Sequence, residues 1–168
     1  KVTTSEADFD LSLKTQLRIR EDINQTSDIV NHIETMRKQL EVMQSAYRGV
    51  RGREDILKAA QELDVRMQAV EEKFLERAQW TSDDKYFRQA YRIYMNLIWL
   101  NGEVGPGAGD VAGGADYRPT DTSIELLGQL ESLLGFSAAT VGSRIAGKHV
   151  GWYLVEIGLA RDFLRDFY

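Results

Sequence analysis

With 168 residues, 43% of them hydrophobic and 28% charged, the chain has the length of one domain and enough apolar material for a core. A net charge of -5 and a pI near 5.1 lack the basic footprint that nucleic acid demands, so no nucleic-acid partner is expected. The absence of Cys excludes disulfides, thiolate metal sites and thiol nucleophiles, and no apolar run is long enough to predict a membrane span. The chain starts at Lys1 rather than Met, as expected of a fragment or a processed product, and no signal peptide is read there.

Residues 1–5 form a polar lead. Thr4 or Ser5 can cap a first helix, with Glu6 and Asp8 favourable near its positive end. That helix is predicted to run to about Arg48, free of Gly and Pro. Its apolar stripe is Ile19, Ile23, Thr26, Val30, Ile33, Met36, Leu40, Met43, Tyr47 and Val50, mostly in steps of three and four. A helix of that length spans roughly 60 Å. Gly49 and Gly52 then bracket an αα-hairpin turn.

A second helix is predicted from Glu54 to about Ala78. Ile56, Ala60, Leu63, Met67, Val70 and Phe74 make a heptad stripe. Folding the hairpin sets Leu40 near Ala60, Ile33 near Met67 and Ile23 near Ala78. The second helix therefore covers only the C-terminal part of the first. Phe9, Leu13 and Leu17 are left uncovered, to be met by later helices or by another domain.

Ser82 or Asp83 is a candidate N-cap for a third helix over residues 84–101. Phe87, Tyr91, Tyr94 and Ile98 step along one face, and Leu97, Trp99 and Leu100 widen it, which predicts the most buried helix. Residues 102–117 then hold Pro106 and six of the 14 glycines, and no regular helix is expected there. A fourth helix is predicted over residues 121–134, with Ile124, Leu127, Leu130 and Leu134 inward. Thr120 to Thr122 would supply its cap, with Glu125 three residues after Thr122 as a capping-box partner, and Gly135 would stop it. Residues 136–148 are weakly patterned. A last helix is read over residues 149–167, although Gly151 and Gly158 weaken it.

Candidate chemistry is sparse. Asp28 and His32 stand at i and i+4, but two ligands do not make a metal site. Glu62, Glu71, Glu72 and Glu76 have Arg66, Lys73 and Arg77 at helical spacing and read as a solvated face of ion pairs. The Gly-rich stretch lacks the Gly-Lys-Ser/Thr ending of a phosphate loop. Glu103, Asp110 and Asp116 miss the spacing of calcium loops. Arg48, Arg51 and Arg53 make a small basic spot at the hairpin turn, offset by Glu54 and Asp55. Tyr86, Phe87, Tyr91, Tyr94 and Trp99 read as core rather than as a stacking platform. Ser143 and His149 are an unanchored pair without a nucleophile elbow.

Two stretches carry a resemblance. Residues 18–41 read RIREDINQTSDIVNHIETMRKQLE. Residues 85–104 read KYFRQAYRIYMNLIWLNGEV, followed by the Gly-rich stretch, then Asp116, Tyr117, Arg118, Pro119 and Thr120, then a Leu-rich helix. This layout resembles the helical C-terminal region of bacterial sortilin-like, BNR-repeat β-propeller proteins, also described as sialidase-like glycosyl hydrolases. The likeness covers residues 5–134. It implies a helical tail of a larger secreted, periplasmic or cell-surface protein. The Asp-box turn of the family's blades does not occur here, so none of its active-site residues carries over. From Phe136 onward the chain departs from the family's charged, Pro-x-Phe-Asn-like ending.

The expected fold is all-α: an elongated antiparallel bundle of three long helices (residues 1–101), a Gly-rich loop (102–119) and one or two shorter helices (120–168). The expected function is a non-catalytic accessory or interaction domain, with no cofactor or metal. Its partner would be an adjacent propeller domain or another protein. Two alternatives stay open: a hydrolase part in which residues 102–118 complete an active site, and a homo-oligomerising scaffold. The candidate contact residues are Phe9, Leu13, Leu17, Asp110, Asp116, Tyr117 and Arg118.

Overall fold

The computed structural model describes residues 4–76, 91–105 and 118–141, with the side chains of 136–141 left out. Among these residues the fold is all-α, with four helices and no strand: α1 (Glu6–Tyr47), α2 (Glu54–Phe74), α3 (Ile93–Val104) and α4 (Asp121–Val141). The expected helix over residues 149–167 and most of the Gly-rich stretch lie outside the described residues.

The start of α1 is fixed by Ser5. Its Oγ accepts the Asp8 amide at 3.2 Å and donates to the Asp8 carboxylate at 2.6 Å. The Asp8 amide also donates to the Ser5 carbonyl at 3.1 Å, so Ser5 holds the first turn through both its backbone and its side chain. Ile19, Thr26, Ile33, Leu40 and Tyr47 then recur every seven residues, and all five are buried. A strict seven-residue repeat keeps one line of a helix facing its neighbours. The chain turns at Gly49 (φ 82°) and Gly52 (φ 77°), where a Cβ would be strained. Val50, read as the last residue of the stripe, is 44% exposed in that turn.

The described residues divide into two compact units. One takes Ile29 to Glu72 together with the end of α4 from Ser137; the other takes α1 up to Asp28, the end of α2 from Lys73, α3, and α4 up to Phe136. The Ile29–Glu72 unit is the helical hairpin. Val30, Ile33, Leu40, Met43 and Tyr47 of α1 and Ile56, Ala60, Leu63 and Met67 of α2 form its core. Burying a side chain of that size contributes about 1.5–3 kcal/mol. The pair Arg37–Asp64 at 2.7 Å agrees with the register expected from Leu40 beside Ala60.

In the other unit the buried residues are Thr15, Ile19 and Thr26 of α1, Phe74, then Ile93, Leu97, Leu100 and Val104 of α3, and Leu127, Leu130 and Leu134 of α4. Each buried threonine of α1 turns its hydroxyl back on its own helix. Thr15 donates to the Leu11 carbonyl at 2.8 Å and Thr26 to the Asp22 carbonyl at 2.7 Å. The hydroxyls are thereby satisfied without a partner from another element.

Several sequence expectations need correction. Helix α2 ends at Phe74, with Leu75 and Glu76 outside it, rather than running on to Ala78. The expected helix over 84–101 is not continuous: Tyr91 and Arg92 lie outside it, Arg92 is extended (φ -92°, ψ -176°), and α3 starts at Ile93. Its buried face is Ile93, Leu97, Leu100 and Val104, in steps of four, three and four, not the Tyr91–Tyr94–Ile98 line. Helix α4 begins with Thr120, one of the expected cap residues, whose Oγ1 accepts the Ser123 amide at 3.1 Å; Thr122 with Glu125 is not the cap. It passes through Gly135 to Val141, since a lone glycine lowers helix stability without forcing an end.

Candidate functional site

The N-terminal half of α1 packs by its threonine and isoleucine side. Around the same helix, Phe9 is 47% exposed, Leu13 56% and Leu17 41%. At 100° per residue their ridge lies about 140° round the helix from the line of Ser12, Thr15, Ile19 and Thr26. Helices α3 and α4 meet α1 elsewhere. Ser12 Oγ donates to the Val104 carbonyl at 3.4 Å, and Arg18 makes a two-pronged pair with Glu131, 2.9 Å through Nε and 2.7 Å through Nη2. Helix α4, one of the covers expected for Phe9, Leu13 and Leu17, thus leaves them in contact with solvent, while the expected last helix lies outside the described residues.

Of the other candidate contact residues, Asp110, Asp116 and Tyr117 lie outside the described residues. Arg118 is half exposed. Its Nη2 lies 3.0 Å from Asp121 Oδ1 and its Nε 3.9 Å from Asp8 Oδ1, so its charge braces the start of α4 beside the start of α1.

The acidic residues of α2 and of the segment just after it are not uniformly solvated. Glu62 and Glu72 are exposed, but Glu71 is fully buried and Glu76 nearly so. Arg37 explains the first: its Nη1 is 2.9 Å from Glu71 Oε2 while its Nε is 2.7 Å from Asp64 Oδ1. Those two carboxylates hold the Arg37 guanidinium above its ordinary pKa, the Asp64 hydrogen bond most of all. Arg92 meets the second, with Nε 3.3 Å from Glu76 Oε2. A desolvated carboxylate persists only with such a partner. Sequence reasoning missed Arg37. The available signal was its place beside Ile33 and Leu40, with Asp64 and Glu71 one heptad apart on α2.

Asp22 is the opposite case. Its Oδ2 is buried with no hydrogen-bond partner among the described residues. Burial first, and then the nearby Glu131 charge, push its pKa up, while Arg18 works against the rise.

Asp28 and His32 are both exposed, and no group of three or more potential metal ligands occurs among the described residues. Of the aromatic residues read as core, Tyr86 and Phe87 lie outside the described residues and the other three are not fully buried. Trp99 is 53% exposed and Tyr91 and Tyr94 are half-buried; the Tyr91 and Trp99 rings stack with centroids 6.2 Å apart. A surface depression at Gln61, Glu62, Val65 and Arg66 draws these four residues from α2 alone and brings no opposed polar groups together. No described helix is long and apolar enough to cross a membrane.

No family model matches the chain, and neither a curated protein nor a solved structure does. The most coherent functional feature is therefore the outward ridge of α1.

Proposed function

We propose that this chain is a non-catalytic interaction domain that holds a protein surface through Phe9, Leu13 and Leu17 of α1. In this reading it is the helical accessory part of a larger sortilin-like, sialidase-like propeller protein. The single observation that carries the reading is the joint exposure of three large apolar side chains on one ridge of a helix whose other side is packed. Scattered apolar residues at a surface are ordinary, but a contiguous ridge is the kind of patch that partners cover. Helix faces with anchors at i, i+4 and i+8 are a recurrent way of meeting a groove or another helix.

The test is a photo-reactive residue placed at Leu13 in the parent protein, with the same residue at the more open Val65 as control. Irradiation is expected to join position 13 to one defined polypeptide segment, identified by mass spectrometry. Position 65 should give no such product. Equal or absent cross-linking at the two positions would remove the proposal.

A further inference from the structure

Over residues 6–20 of α1, five residues share the outward stripe: Glu6, Phe9, Leu13, Leu17 and Arg20. All are exposed. At 100° per residue they fall within an arc of about 80°. Their steps are three, four, four and three, so the spacing reads the same in both directions from Leu13. The apolar residues occupy the middle, and the two ends carry opposite charges. Neither Glu6 nor Arg20 is ion-paired with another described residue.

From this arrangement we infer that the stripe binds a second copy of this chain, antiparallel, about a two-fold axis through Leu13. The inference rests on the reading of the ridge as a protein-docking surface and names its occupant. In a two-fold contact, residue i of one copy meets residue j of the other, and j meets i. With the axis at Leu13, Leu13 meets Leu13 of the second copy, Phe9 meets Leu17, and Glu6 meets Arg20. Each pairing occurs twice except the one on the axis. A parallel, in-register pairing would instead set Glu6 against Glu6 and Arg20 against Arg20, and like charges facing each other select against it. Helix ridges formed by i, i+4 rows interdigitate with their own kind, which suits Phe9, Leu13 and Leu17 facing the same three residues. The stripe is only about 21 Å long, so the dimer is expected to be weak, concentration-dependent and loosened by salt.

Sedimentation equilibrium of the 168-residue chain at low salt tests this, with circular dichroism to verify that each variant keeps its helices. The unchanged chain should move from monomer to dimer with a Kd tighter than about 1 mM. Leu13→Glu sets two carboxylates on the axis and should leave a monomer of unchanged helicity. Glu6→Arg and Arg20→Glu should each weaken self-association roughly tenfold, since attraction turns to repulsion at both ends. Mixing these two variants should restore a mixed dimer, because each then offers the charges that the other lacks. A chain that stays monomeric, or a dimer that is indifferent to Leu13→Glu or to the charge reversals, would overturn the inference. Cross-linking from position 13 to a different protein would do so too, while leaving the interaction-domain reading intact; failure of both experiments removes both.

Discussion

Arg37 Nη1 lies 2.9 Å from Oε2 of Glu71, a side chain wholly withdrawn from solvent at the heart of the helical hairpin. The contact joins a residue of α1 to one of α2, and the same guanidinium reaches Asp64 one heptad away. Replacing Arg37 by Met removes a guanidinium counter-charge from a buried carboxylate. The expected loss is about 3–5 kcal/mol of unfolding free energy, read by chemical denaturation. Changing Arg37 to Met together with Asp64 and Glu71 to Leu should recover most of that loss, since an apolar set of similar volume carries no desolvation cost.

This pair also marks where the sequence stopped being informative. The seven-residue line from Ile19 to Tyr47 and the stripe from Ile56 to Phe74 were legible because burial follows helical period directly. The turn at Gly49 and Gly52 was legible because only glycine takes that backbone easily. Glu71 was misread because a charge looks solvated until its partner is known, and Arg37 comes from another helix. The face of α3 was misread because Ile93, Tyr94, Leu97, Ile98, Trp99 and Leu100 surround it with apolar groups, so two stripes compete. The extended backbone at Arg92 sets the start of α3, and with it the Ile93–Leu97–Leu100–Val104 face. Of the candidate site, Phe9, Leu13 and Leu17 are exposed, where the sequence reading expected later helices or another domain to dock.

Asp22 makes stability depend on pH. Burial and Glu131 raise its folded-state pKa, so the folded chain takes up its proton more readily than the unfolded chain does. Above the folded-state pKa the ionised group costs stability; the cost is relieved as pH falls through that value and is absent below the ordinary aspartate range, about 3.9. Asp22→Asn should therefore raise the denaturation midpoint at neutral pH. The difference between the two chains should shrink on acidification and close near pH ~4. A gain independent of pH would show that ionisation at Asp22 is not the cause.

The glycines separate by backbone. Gly49 and Gly52 hold positive φ, so alanine at either should cost about 1–2 kcal/mol. Gly128 and Gly135 sit inside α4, and a Cβ there meets nothing within 4 Å. Alanine at either should raise stability by about 0.5–1 kcal/mol. Thermal unfolding of the four variants should split them into two groups of opposite sign.

The central claim is that α1 turns Thr15, Ile19 and Thr26 inward and keeps Phe9, Leu13 and Leu17 outward for a partner. Hydroxyl-radical footprinting across a dilution series reads both halves at once. In dilute solution Phe9, Leu13 and Leu17 should be labelled heavily and Ile19 hardly at all. As concentration rises, labelling of those three should fall, while the exposed Val42 and Val65 should keep theirs. Weak labelling of Phe9, Leu13 and Leu17 at every concentration, or labelling that never falls, would contradict the account.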